Sequence, residues 1–153
     1  MKKRRKAREI ALFTLYKFDV SEENLSECLN DILSMKRYDD EIINFAKRLI
    51  ATIEKNRETI DRKIQQFSKN WKFERMAIID RNILRIATSE ILFMPDIPEK
   101  VSINEAVEIA KTYSSSDSYA FINGILHRIY MDVKNANNRK WVFMRCSFRK
   151  YRF

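Results

Sequence analysis

DEIINFAKRLIATIEKNRETIDRKIQQF, residues 40–67, decides the fold class. Ile42, Ala46, Leu49, Ile53, Ile60, Ile64 and Phe67 recur at steps of three, four and seven residues, the period of one helix face. Charged and amide side chains fill most of the remaining positions, and neither proline nor glycine interrupts. Asp39 or Asp40 opens the segment, and a break is expected near Asn56.

The same period extends both ways. Upstream, Ala7, Ala11, Leu15 and Phe18 share a face of a helix from about Arg5 to Phe18, with Ile10 beside them. Leu12 and Tyr16 project to one side of that face. Ser21 is expected to cap a short second helix carrying Leu25, Leu29, Ile32 and Leu33. Downstream, Trp71 and Phe73 mark a turn. Met76 to Met94 reads as helix, with Ile79, Ile83, Ile86, Ala87 and Leu92 inward, until Pro95 and Pro98 stop it.

Ser102 and Glu105 then have the spacing of a capping box, which places a helix start there. This helix carries Ile103, Ala106, Val107 and Ala110 to about Tyr113. Ser114 to Ser118 form a polar loop in which Ser116 or Asp117 can cap the next helix. That helix carries Phe121, Ile122, Ile125, Leu126, Ile129 and Val133. Gly124 lies inside it at a cost of about 1 kcal/mol relative to alanine, which points to close approach of another backbone. The chain therefore reads as all-α, one domain over residues 1–133.

Charge separates the ends from the body. Lys2, Lys3, Arg4, Arg5, Lys6 and Arg8 crowd residues 2–8, and seven cations without an acid occupy residues 134–153. Against a net charge of +9, those thirteen leave residues 9–133 at −4. A mildly acidic body with a cationic arm concentrates its field where a phosphate chain is gripped. Cations in a first helical turn also oppose the helix dipole, by about 0.3–1 kcal/mol each. A placement that costs stability favours binding over mere solubility.

Composition excludes several functions. Cys28, Cys146 and His127 are too few for a Cys/His zinc site. One glycine cannot build a phosphate-cradling loop. A relay through His127 lacks a nucleophile elbow. No apolar run approaches the roughly 20 residues that span a bilayer, and no leader peptide is evident, so a cytoplasmic protein is expected. In residues 134–153, Trp141, Phe143, Phe148, Tyr151 and Phe153 alternate with Lys134, Arg139, Lys140, Arg145, Arg149, Lys150 and Arg152. Such a tail either stacks and grips single strands or is a disordered extension without selected structure.

Three blocks carry a family resemblance. They are Ile79-Asp80-Arg81-Asn82-Ile83-Leu84-Arg85-Ile86-Ala87, Pro98 to Tyr113 with its Ile103-Asn104-Glu105-Ala106 run, and Phe121-Ile122-Asn123-Gly124-Ile125-Leu126. With Ala7-Arg8-Glu9-Ile10-Ala11-Leu12 and Leu15-Tyr16, they resemble the NusB family of bacterial antitermination factors over residues 4 to 133. The resemblance implies about seven helices in two packed bundles, roughly 1–70 and 71–133. It implies no catalysis and no cofactor. It further implies binding to boxA RNA of ribosomal RNA leaders, together with the small-subunit ribosomal protein acting as NusE. Other Nus factors and RNA polymerase follow indirectly, and a homodimer through the partner's surface is open.

By the same resemblance, Arg4, Arg5, Lys6 and Arg8 match the RNA-binding arm. Asp117, Ser118 and Phe121 match positions near bound RNA. Phe121 suits either base stacking or the core, and Asp117 either caps the helix or weakens phosphate contact. Tyr16 and Asp80 match the ribosomal-protein interface. Ser89, His127 and Ala120 depart from the usual Tyr, Asp and Lys, and His127 reads as a surface residue. Two competing readings remain: a helical RNA-binding domain acting in trans with a ribosomal RNA methyltransferase, and a protein scaffold whose arm is only a solubiliser.

Overall fold

A computed structural model describes the backbone of residues 2–68 and 72–149, and the side chains of 2–68 and 72–140. Trp71, the tail side chains Trp141, Phe143, Arg145, Cys146, Phe148 and Arg149, and residues 150–153 lie outside it. Six α-helices follow in order: α1 Lys2–Val20, α2 Leu25–Ser34, α3 Asp40–Phe67, α4 Ile78–Phe93, α5 Glu99–Tyr113 and α6 Ser118–Arg149. A 3-10 turn, Phe73–Arg75, precedes α4. The described residues contain no strand, so the all-helical expectation holds, and its count of about seven is close.

Ion pairs fix the helix directions. Lys3 meets Asp39 and Glu41 at the start of α3, while Asp19 meets Arg57 farther along it, so α1 and α3 run the same way. Lys63 pairs with Asp132, and Arg128 donates to the Phe67 carbonyl, so α6 runs against α3. The short 114–117 link folds α6 back along α5, with the Lys111 ammonium 5.6 Å from the Tyr119 ring centroid. One apolar cluster joins all six helices, from Ala7 through Leu49, Ile64, Leu84 and Ile103 to Ile129. Full burial of an Ile or Leu contributes about 1.5–3 kcal/mol.

Helix α4 is the axle. It packs on α1, α3, α5 and α6 and is buried nearly all round, polar residues included: Asp80, Asn82, Arg85, Thr88, Ser89 and Glu90. Buried charge is tolerated only when paired. The Arg85 guanidinium meets both Asp61 oxygens at 2.8 and 3.1 Å and reaches Asp19 at 3.4 Å. Asn82 donates to Asp19 at 2.9 Å.

The break in α3 stands at Asn56, whose φ of −117° and ψ of 18° leave helical values. Its amide donates to the Thr52 carbonyl at 2.9 Å, one turn back.

Four local expectations are corrected. Asn24, not Ser21, caps α2: Glu27 N–H donates to Asn24 Oδ1 at 2.9 Å and Asn24 N–H to Glu27 Oε2 at 3.3 Å. That reciprocal pair satisfies two orphan donors, which Ser21 does not. Ser102 and Glu105 are no capping box, because α5 starts at Glu99 with Pro98 as its cap. Ser102 donates instead to Glu90 at 3.0 Å, and Glu105 faces Arg5. Leu12 is fully buried, since α1 is covered by α2, α3 and α4 rather than along one stripe. Gly124 is exposed, and nothing lies within 4 Å of where its Cβ would stand. No neighbouring backbone among the described residues explains it.

Candidate nucleic-acid interface

The cationic opening of α1 divides into inward and outward groups. Arg8 is 2% exposed. Its Nε and Nη2 donate to the two Glu90 oxygens at 2.9 and 2.7 Å, a fork that suits a carboxylate. Arg5, one turn earlier, does the same to Glu105 at 2.7 and 3.0 Å. Arg8 also lies 3.9 Å from Glu105. The Glu105 carboxyl is held below the usual range, first by its bond from Arg5 and then by the Arg5 and Arg8 charges, against opposing burial. Two acids on α4 and α5 thus answer the dipole cost at the α1 N-terminus.

The outward group keeps its field. Among the described residues, Lys2 and Arg4 have no carboxylate within 4.0 Å, and both are exposed. The Arg4 and Arg8 guanidinium carbons stand 5.0 and 5.4 Å from the Phe45 ring centroid, so that aromatic helps hold Arg4 in place. Lys6 reaches only its neighbour Glu9, at 3.3 Å. Lys3 is shared between Asp39 and Glu41, and these bonds raise its pKa. Of the expected RNA-binding set, Arg4 faces water, Arg5 and Lys6 are half-exposed with an acid beside each, and Arg8 is buried; Lys2, outside that set, also faces water.

The loop before α6 is organised from below. The Ser114 hydroxyl donates to Asp80 Oδ1, and Ser118 Oγ donates to Asp80 Oδ2 at 2.9 Å. Ser115 Oγ stands 2.8 Å from Ser118 Oγ. With its one proton committed to Asp80, Ser118 must accept from Ser115. It has no donor left for a phosphate. Its backbone N–H is engaged as well, donating to the Ser115 carbonyl at 3.1 Å.

Asp117 is exposed and makes no side-chain hydrogen bond among the described residues. Phe121 is partly buried against the core. Asp80 is itself buried under this loop and accepts from Ser114 and Ser118. Tyr16 is 42% exposed on α1, among the larger apolar residues left outside. His127 and Ala120 are exposed, and Ser89 is buried with its hydroxyl on the Ile86 carbonyl at 2.7 Å.

Arm and loop sit on one pair of helices. Arg5 meets Glu105, and the Phe13 and Tyr113 rings meet edge to face at 5.2 Å. The equal offset means that α1 and α5 run parallel, with the two contacts about 12 Å apart at 1.5 Å per residue. A strand of a few nucleotides spans that interval. Sequence reasoning missed Glu90 and Glu105 as the groups that immobilise the arm. The available signal was an acid in phase with an apolar stripe: Glu90 follows Ile83 and Ile86 at helical spacing.

Among the described residues no group of three or more His, Cys, Asp or Glu side chains is placed to hold a metal. No described helix is long and apolar enough to cross a membrane.

Comparison with known proteins matches residues 5–131 to the family model described as NusB family. The transcription antitermination protein NusB of Clostridium botulinum (strain Loch Maree / Type A3) is 42% identical over 138 residues, covering 82% of this chain and 98% of its own. The T. maritima NusB structure superposes with a TM-score of 0.78 at 40% identity, over 84% of this chain and 90% of that one. A crystal structure of the antitermination factors NusB and NusE in complex with dsRNA gives a TM-score of 0.79 at 28% identity, over 86% and 98%.

Proposed function

Since this chain belongs to the NusB family of transcription antitermination proteins, we propose that it binds the boxA element of ribosomal RNA leader transcripts. It does so with the small-subunit ribosomal protein acting as NusE, in the cytoplasm, and acts by binding rather than catalysis. The complex reaches other Nus factors and RNA polymerase through these partners. The observation that carries the reading is the opening of α1. Lys2 and Arg4 face solvent, with half-exposed Lys6 beside them, from a helix that Arg5–Glu105 and Arg8–Glu90 lock in place. Preorganised cations lose little freedom on meeting phosphate.

A strand leaving that turn meets the Ser114–Ser118 loop at the start of α6, where the positive end of the helix favours phosphate, and Phe121 borders its path. Asp80 contributes by holding the loop, and Arg8 by holding the arm. Tyr16 supplies an exposed aromatic for the protein partner.

Binding labelled boxA RNA through about four phosphates gives a log affinity that falls with log salt at a slope of about −3. In a Lys2→Gln/Arg4→Gln variant the slope flattens by about 1.4 while the unfolding midpoint stays put. Equal affinity for scrambled RNA, or an unchanged slope in the variant, rejects the reading. The ribosomal protein should tighten binding, and Tyr16→Ala should remove that gain without altering affinity for RNA alone.

A further inference from the structure

The C-terminal end of α1 carries a charge cluster that RNA binding leaves unused. Asp19, 9% exposed, faces three guanidinium groups: Arg57 from α3 at 3.6 Å, and Arg81 and Arg85 from α4 at 3.6 and 3.4 Å. Arg85 is also held by both Asp61 oxygens, and Asn82 takes a further place on Asp19 at 2.9 Å. Among the described residues no other acid lies within 4.0 Å of these arginines. Three cations thus share two carboxylates, and one positive charge is left over.

Arg57 and Arg81 carry that surplus. Neither guanidinium donates a hydrogen bond among the described residues, and Arg81 Nε is buried without an acceptor. Arg81 is only 17% exposed, so water replaces few of the missing bonds, and a charge left this way is costly. Both groups rest on rings instead. The Arg81 guanidinium carbon stands 5.5 Å from the Phe73 centroid and that of Arg57 4.9 Å from Phe18. A ring supports the flat face of a guanidinium and leaves its N–H edge for a planar acceptor with two oxygens.

We propose that Arg81, with Arg57 beside it, receives a carboxylate side chain of the protein partner. The proposal rests on the reading above that a protein docks at Tyr16. The surroundings favour a protein over RNA. Tyr16 and Val20 are 42% and 57% exposed, about 40° apart round α1, and Asp19 lies about 60° from Tyr16. Arginine beside exposed aromatic and aliphatic side chains is the composition of a protein-interface centre. One surplus charge suits one carboxylate and is too little for a run of phosphates. The exposed arm also lies elsewhere, since Arg4 and Asp19 stand about 22 Å apart along α1. Asp19 is then a positioning residue. It gathers both arginines before the partner arrives, which lowers the cost of ordering them.

The test titrates the full chain with the ribosomal protein acting as NusE, by calorimetry. Arg81→Gln should weaken the complex at least tenfold, because the partner's carboxylate is then buried without its counter-charge. Arg57→Gln, at a side chain 40% exposed, should cost about threefold. Arg81→Lys keeps the charge, loses the fork and should fall between the two. Affinity of each variant alone for labelled boxA RNA should equal that of the unaltered chain. Changing the partner's Asp and Glu residues singly to Asn and Gln should reveal one whose loss matters against the unaltered chain and adds nothing against Arg81→Gln.

Undiminished partner affinity in Arg81→Gln overturns the proposal and leaves docking at Tyr16 standing. The absence of any coupled acid in the partner does the same. Weakened RNA binding by Arg81→Gln without the partner makes this a phosphate site and also overturns it. A ribosomal protein that does not bind the unaltered chain overturns both readings. Should Arg81→Gln not fold, Arg81→Lys decides through the same cycle of paired substitutions.

Discussion

The first turns of α1 and the last turns of α6 look alike as sequence and differ as structure. Both are rich in Lys and Arg, with no acid among residues 2–8 or 134–153. In α1, Arg8 and Arg5 turn inward to Glu90 and Glu105, and Lys3 reaches Asp39 and Glu41. In α6, Lys134, Arg139 and Lys140 all remain in water. A count of cations therefore overstates the field of one region and not of the other. What sets the difference is the acids donated by distant helices, which α1 has on three sides and which Lys134, Arg139 and Lys140 lack among the described residues.

The sharpest way to break this contrast is one substitution made twice. Arg8→Ala leaves Glu90 buried without its counter-charge and should cost about 3–5 kcal/mol. Arg139→Ala should stay within about 0.5 kcal/mol of the unaltered protein. Urea unfolding midpoints measure both, and equal midpoints would erase the distinction between the two runs.

A smaller effect tests how free the outer side of α6 is. Gly124→Ala meets no neighbour and restores helix propensity, so it should stabilise by about 1 kcal/mol. Loss of RNA or partner affinity in a variant that unfolds later would place the reason for this glycine outside the molecule.

The smallest concerns acid. The folded-state Glu105 pKa is lowered, chiefly by the Arg5 bond, so its contribution is full above the ordinary glutamate range. It is lost as pH falls through the lowered value, because the unfolded chain binds the proton first. Arg5 is 43% exposed, which keeps the pair's worth under about 1 kcal/mol. Unfolding series from pH 7 to pH 3 should show the unaltered protein losing more stability than Arg5→Gln. Parallel curves would mean that this pair adds nothing to what Arg8–Glu90 supplies.

Much of the fold was legible because helix period and proline stops are local signals. The α3 stripe, its break at Asn56 and the two prolines after α4 all appear where the residues put them. Polar burial was not legible. Ser102 and Glu105 have capping-box spacing, but the spacing carries no information about Glu90 or Arg5, which claim those side chains from other helices. Ser21 misled for a simpler reason, since Asn24 with Glu27 offers two bonds where Ser21 offers one.

The candidate site divides in the same way. That the arm is cationic was plain. Arg8 belonging to the core could be learned only from its partner 82 residues away. The bonds Asp80 accepts from Ser114 and Ser118, 34 and 38 residues on, carry no local signal either. Tyr16 projects outward as its phase on α1 suggested.

The separation between Arg8 and Glu90, and of 100 residues between Arg5 and Glu105, also has a consequence in time. A ribosome adding about 5–20 residues per second takes about 4–16 s to make Glu90 after Arg8, and about 5–20 s to make Glu105 after Arg5. Throughout that interval the leading helix has emerged with every guanidinium unclaimed. Until Glu90 and Glu105 are made, Arg8 and Arg5 lack the carboxylates that hold them in the finished fold.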